Sequence, residues 1–263
     1  AITFENHPQS LFMKQPPPLL PTLQGRYRLL LHYGIDHVYT YPVTEKVMST
    51  DWRVFLDELM LYGGVGFVCG HDFRFGNRGA GNARLLAEYC ERNHMPWAVV
   101  PEQRLGEISV SSTHIRSLLE NGAVAEAHQF LGHPHILSGE VISGRKLGRT
   151  LGIPTANPVF PEGGALPACG VYAVRALLGD RVLRGIANVG HRPTVEDGET
   201  LNCETHLLDF TGDIYGERMT VEFLYRLRPE KKFENIENTA FICVGPPVMI
   251  KFTVMEILKL GVP

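Results

Sequence analysis

The residues best suited to chemistry lie between Gly144 and Asn157, in the run Gly-Arg-Lys-Leu-Gly-Arg-Thr-Leu-Gly-Ile-Pro-Thr-Ala-Asn. Gly144, Gly148 and Gly152 recur every four residues, so the backbone can bend and approach a ligand without Cβ interference. Arg145, Lys146 and Arg149 put positive charge on the same loop, which suits an anion such as a nucleotide phosphate. Pro154 stiffens the exit. Thr155 and Asn157 follow, two residues apart, and in an extended segment they face one side. Hard oxygens beside phosphate are the usual surroundings of Mg²⁺. No Gly-Lys-Ser/Thr occurs here, so this is not a Walker loop. Glycines and charges alone fit a basic surface loop between strands at least as well. Glu204 is the candidate proton acceptor. Alternation puts Glu204, His206 and Leu208 on one strand face and Thr205, Leu207 and Asp209 on the other. A carboxylate on a strand wall can act as a general base, and an exposed glutamate at a strand start is the plain alternative.

The elements that would hold these groups fall into two textures. In the N-terminal half, Val38–Tyr41, Val65–Cys69 and Trp97–Val100 read as short strands, and Asp51–Tyr62 and Asn82–Asn93 as helices between them. Val54, Phe55, Leu59 and Tyr62 form the predicted stripe of the first helix, and Leu85, Leu86 and Tyr89 that of the second, with Asn82 as its N-cap. Strands alternating with helices predict βαβ units on a parallel sheet. Thr113–Asn121 and Val124–Leu131 read as helices ending at Gly122 and Gly132. From Gly139 onward the pattern is β: Glu140–Ile142, Val171–Leu178, Val182–Ala187, Thr205–Phe210 and Met219–Tyr225. Gly179-Asp180 predicts a tight hairpin, and the short strands together predict a small barrel or sandwich. The boundary is expected near residues 132–138.

Further motifs accompany the basic loop: Gly170–Val174, Ala187–Gly190, Arg192–Thr194, Glu204–Phe210, Asp213–Gly216 and Leu227–Phe233. In order and spacing, from about residue 139 to 237, they resemble the riboflavin kinase domain of the bacterial bifunctional riboflavin kinase/FMN adenylyltransferase (FAD synthetase) family. Thr3–Pro8, Gly70–Gly76 and Ser111–Arg116 resemble its adenylyltransferase module. The resemblance implies an α/β, nucleotidyltransferase-like (Rossmann-like) domain over residues 1–132 and an all-β riboflavin kinase barrel over 133–237. An atypical apolar tail, 238–263, follows. It also implies Glu204 as the catalytic base, and Gly144, Gly148, Arg149, Gly152, Thr155, Asn157 and Asn188 around Mg-ATP, with Thr155 and Asn157 on the metal. Arg228, Glu230 and Phe233 would cover the flavin. In the adenylyltransferase half, His7, Asp72, Ser112, Thr113 and Arg116 would line the nucleotide and flavin site. Hydroxyls and amides at a helix start suit phosphate, although a Ser/Thr cap is commonly structural.

By this resemblance the substrates are riboflavin, FMN and ATP, with FAD as a product and Mg²⁺ as the metal. The family's first module opens with a strand, a Gly-x-Phe-Asp-Gly loop and a His-x-Gly-His sequence on the ATP phosphates, and the 263 residues contain none of these. The chain begins just downstream of where they would stand. Weak or absent adenylyl transfer is therefore expected, beside an intact kinase. Two rivals remain: an adenylyltransferase whose barrel only presents FMN, and a flavin-binding protein without catalysis.

A net charge of −3 and a pI near 6.4 argue against broad nucleic-acid or membrane-surface binding, so any anion site must be local. The five cysteines are far apart, odd in number and without a CxxC pair, which fits reduced thiols. Ala1-Ile-Thr-Phe-Glu lacks the pattern of a signal peptide, and a cytoplasmic protein is expected. Asn238–Pro263 is apolar, broken by Pro246-Pro247, and too interrupted to span a bilayer.

Overall fold

A computed structural model of the chain describes residues 1–142, 155–161, 163–193 and 199–230. The chain starts with β1 (Ile2–Phe4), α1 (Leu23–His32), β2 (Tyr39–Tyr41), α2 (Glu45–Met48) and α3 (Trp52–Leu61). Next come β3 (Phe67–Gly70), β4 (Arg74–Phe75), β5 (Gly81–Asn82), α4 (Ala83–Arg92) and β6 (Trp97–Val100). A small hairpin, β7 (Arg104–Leu105) and β8 (Ile108–Ser109), leads to α5 (Ser112–Glu120) and α6 (Val124–Leu131). The remaining strands are β9 (His135–Ile142), β10 (Thr155–Val159), β11 (Gly170–Leu178), β12 (Arg181–Pro193), β13 (Glu199–Leu207) and β14 (Arg218–Pro229). Two compact units result. One holds Ala1–Leu19 and Arg26–Ser111, and the other holds Leu20–Gly25 and the described residues from Ser112 on.

In the first unit the expected parallel pairing is present, but as two separate pairs instead of one sheet: β1 with β2, and β3 with β6. The β3–α4–β6 segment is a parallel crossover, with Leu86 and Cys90 of α4 fully buried among Leu56, Phe75 and the flanking aromatics. Asn82 caps α4, its Oδ1 accepting from the Leu85 N–H at 3.0 Å. Asp51 does the same for α3, accepting from Arg53 N–H at 2.8 Å. The buried face of α3 is Leu56 and Leu59, whereas Val54 and Tyr62 are exposed, which corrects the predicted stripe. Ile2, Tyr39, Val68 and Val100 on the strand pairs are exposed as well.

The second unit is a closed antiparallel barrel in the order β10-β13-β12-β11-β14-β9. Closure leaves no open edge, and alternation sends one set of side chains inward. Tyr172, Val174, Ala176 and Leu178 of β11 meet Met219, Val221 and Phe223 of β14, with Leu137, Ala187, Val189 and Cys203 completing the core. The predicted β11–β12 hairpin turns at Gly179-Asp180, where Leu178 pairs with Arg181 and Gly179 takes φ +55°. The strands outrun their sequence signals. Arg181–Pro193 is one strand, so the motif residues Asn188, Gly190 and Arg192 all lie in β12. β13 ends at Leu207, and Asp209 lies beyond it with φ +55°.

Helices α5 and α6 stand on the N-terminal side of the boundary expected at residues 132–138. By packing they belong to the barrel's unit, because Ile115, Leu119, Val124, Ala127 and Phe130 join its core. α6 ends as predicted, at Gly132 in the left-handed conformation.

Candidate active site

Register, more than any single contact, brings the candidate residues of the C-terminal half together. β12 and β13 pair Asn188 with Glu204, and β10 and β13 pair Thr155 with His206 and Ala156 with Thr205. Asn157 is the next residue along β10, two on from Thr155, and so lies on the face that Thr155 shares with His206 and Glu204. Residues directly opposite one another also share a sheet face, so Asn157, Glu204 and Asn188 form one row across three adjacent strands. Neighbouring Ala156, Thr205 and Ala187 point into the core, so the row faces outward from the barrel wall. Asn157 is buried there, and Glu204 and Asn188 are half-buried. The row continues along β12 and β11 from Asn188 to Val171, and from Val171 to Arg228 on β14.

The adjoining outer position holds Gly190, which pairs with Asn202. A Cβ built on Gly190 would meet Glu230 Oε1 at 2.6 Å, with Asn188 Nδ2 at 3.6 Å. The absent side chain therefore makes room for the Glu230 carboxylate beside Asn188. On β13, Asn202 Nδ2–H donates to Glu204 Oε1 at 3.4 Å. Asn202 escaped the sequence reading, although the strand's two-residue period puts it on Glu204's face. Cys203 between them points inward, and burial pushes its thiol up to about 12, leaving it protonated and inert. His206 is buried on the outer face, as a wall residue, and Asp209 accepts from Arg184 Nη2 at 3.4 Å. Tyr172 is structural, wholly buried with its hydroxyl donating to Ala168 O.

Asn157 presents a buried carboxamide at a position where a hard cation beside phosphate could be held. Among the described residues there is no group of three or more His, Cys, Asp or Glu side chains placed for a metal. A hard cation held here beside nucleotide phosphates would find the Asn157 carboxamide oxygen as one donor. Gly144, Gly148, Arg149, Gly152 and Phe233 lie outside the described residues, as do Thr194 and the apolar tail.

The adenylyltransferase candidates are divided between the two units. His7 caps the short helical turn Pro8–Leu11, its Nδ1 accepting from Gln9 N–H at 3.2 Å, which leaves Nε2 carrying the proton. Asp72 is exposed in the turn after β3. Ser112 and Thr113 are exposed in the first turn of α5, with Arg116 half-buried one turn on; burial pulls its guanidinium below the usual value. Exposed hydroxyls at a helix start remain open to an anion, whereas His7 is already in use as a cap.

A closed barrel with a polar outer row, accompanied by a unit of parallel strand pairs and a crossover helix, is the architecture of a flavokinase module joined to a nucleotidyltransferase-like module. Family models agree on both halves: "Riboflavin kinase" matches residues 131–239 and "FAD synthetase" residues 1–114. The bifunctional riboflavin kinase/FMN adenylyltransferase of Listeria monocytogenes is 33% identical over 242 residues, covering 90% of this chain and 76% of the relative. The protein of that name from Escherichia coli K12 is 35% identical over 243 residues, covering 90% and 77%. A crystal structure of a macrolide-efflux protein from Streptococcus pneumoniae superposes with a TM-score of 0.78 at 28% identity, covering 100% of this chain and 83% of that one. Among the described residues no helix is long and apolar enough to cross a membrane. The chain belongs to the bifunctional riboflavin kinase/FMN adenylyltransferase family.

Proposed function

We propose that the barrel transfers the γ-phosphoryl group of ATP to the primary hydroxyl of riboflavin, giving FMN, with Glu204 as the general base. The observation that carries this reading is the outward row of Asn157, Glu204 and Asn188, set by the β10–β13 and β12–β13 registers. Phosphoryl transfer needs positioning and charge neutralisation more than covalent help from the protein. Asn157, with Thr155 two residues before it, would hold Mg²⁺ and through it the β- and γ-phosphates. The basic Gly144–Gly152 loop would supply the remaining positive charge. Glu204, one strand over from Asn157, would take the hydroxyl proton as the oxygen attacks. Arg228 and Glu230 on the same outer side would position the isoalloxazine ring, with Phe233 against it. His7, Asp72, Ser112, Thr113 and Arg116 would serve the adenylyl transfer from ATP to FMN that the first module's family performs. We assign residues 1–132 to that module and 133–237 to the kinase, with α5 and α6 packed against the latter. Small-molecule substrates, a cytoplasmic setting and no nucleic-acid or membrane partner complete the reading.

Incubation with riboflavin and Mg-ATP, followed by chromatographic separation of FMN and FAD, tests it. FMN is the expected product of the barrel, and FAD appearing beside it would report adenylyl transfer by the first module. A folded sample that binds riboflavin but forms no FMN would sink the kinase reading.

A further inference from the structure

A glutamate on a strand wall has several rotamers, and only those that aim a free oxygen at the attacking hydroxyl are useful. The wall around Glu204 restricts that choice. Opposite Glu204 on β12 stands Asn188, and on β10, the neighbour on the other side, Asn157 follows the paired Ala156. Along β13 itself, two residues earlier and therefore on the same face, stands Asn202, whose Nδ2–H donates to Glu204 Oε1 at 3.4 Å. Opposite Asn202 is Gly190, so no β12 side chain separates the amide from this corner of the site. The Glu230 carboxylate fills the space over Gly190. Two carboxylates thus approach one outer corner, and the carboxamides of Asn188 and Asn202 are placed among them.

We infer that Asn202 is a positioning residue for phosphoryl transfer: by holding Oε1 of Glu204, it leaves Oε2 turned to the substrate hydroxyl. The proposal rests on Glu204 being the base. An amide suits this place because it donates without adding charge beside two carboxylates. An aspartate there would have the same shape but no donor, and it would add a third negative charge.

The test compares Asn202→Asp, Asn202→Ala, Glu204→Gln and the double variant Glu204→Gln/Asn202→Ala, each with riboflavin and Mg-ATP. Riboflavin fluorescence titration and thermal unfolding confirm that each variant is folded. If Asn202 acts through Glu204, both single Asn202 variants lose about 10- to 100-fold in kcat, with KM for riboflavin and ATP within about twofold of the parent. In the Glu204→Gln background the Asn202→Ala change then costs nothing further. An unchanged kcat, a rise in KM alone, or additive losses in the double variant would overturn the assignment. Full activity of Glu204→Gln would instead show that the base itself was misassigned, a result distinct from failure of Asn202 alone.

Discussion

At the scale of single residues, the outer row makes sharp demands. Glu204→Gln keeps the shape of the side chain and removes its basicity. Riboflavin phosphorylation should fall at least about 100-fold while riboflavin binding stays nearly intact, as single-turnover rates and fluorescence titration would show. Gly190 gives a second test. Its Cβ would strike the end of the Glu230 side chain, at 2.6 Å from Oε1, and not the backbone. Gly190→Ala should therefore displace a carboxylate without disturbing the barrel. The expected outcome is a raised KM for riboflavin with a Tm change of about 2 °C or less, read by steady-state kinetics and a thermal melt. Glu204 stood out as a candidate in the sequence because its motif resembles the family's, and alternation predicts which face it takes. Asn202 obeys the same alternation, but its hydrogen bond to Glu204 depends on a rotamer that spacing does not specify.

At the scale of elements, β14 is the strand that ties the helices to the barrel. Arg226 Nη1 donates to Asn121 O at 3.1 Å and Nη2 to Cys169 O at 2.7 Å, so one guanidinium fastens the α5–α6 turn and the entry to β11. Gly122 and Gly170 leave room for it: a Cβ on Gly122 would meet Nη1 at 2.7 Å, and one on Gly170 would meet Nε at 2.9 Å. Arg226→Ala leaves two carbonyls without this donor and should cost about 2 to 3 kcal/mol in a denaturant titration. Gly122→Ala combines the clash with a φ of +74° and should destabilise in the same direction, by about 1 to 2 kcal/mol. The ends of α4 and α6 were legible because capping by Asn82 and the left-handed Gly132 are local events. That α5 and α6 pack with the barrel was not, since it depends on which apolar face finds which core.

At the scale of the whole molecule, His135 makes folding sensitive to acid. Its ring is 1% exposed, Nε2–H donates to Ala165 O at 2.6 Å, and Phe223 stacks on it. Burial pulls its pKa down from 6.5 to about 4, so the folded barrel holds the neutral ring. The unfolded chain takes up that proton first. This contribution is therefore complete above about pH 6.5, declines as pH falls, and is gone below about pH 4. Over that range the loss is about 3 kcal/mol. Denaturant titrations at a series of pH values should show the fall, and His135→Gln, which retains a donor for Ala165, should flatten it. A pH dependence unchanged by His135→Gln would remove His135 from the account.

The sequence by itself determined the two modules, the β11–β12 hairpin, the helix caps and the candidates Asn157, Asn188 and Glu204, because periodicity, turn chemistry and motif spacing are properties of neighbouring residues. It did not reveal that β12 runs unbroken through Asn188 and Gly190, or that the first unit's parallel strands form two separate pairs. Nor did it show that Asn157, Glu204 and Asn188 stand in one row with Asn202 and Glu230 beside them. Those facts depend on strand register and barrel closure, which join residues far apart in the chain, and only the tertiary structure decides them.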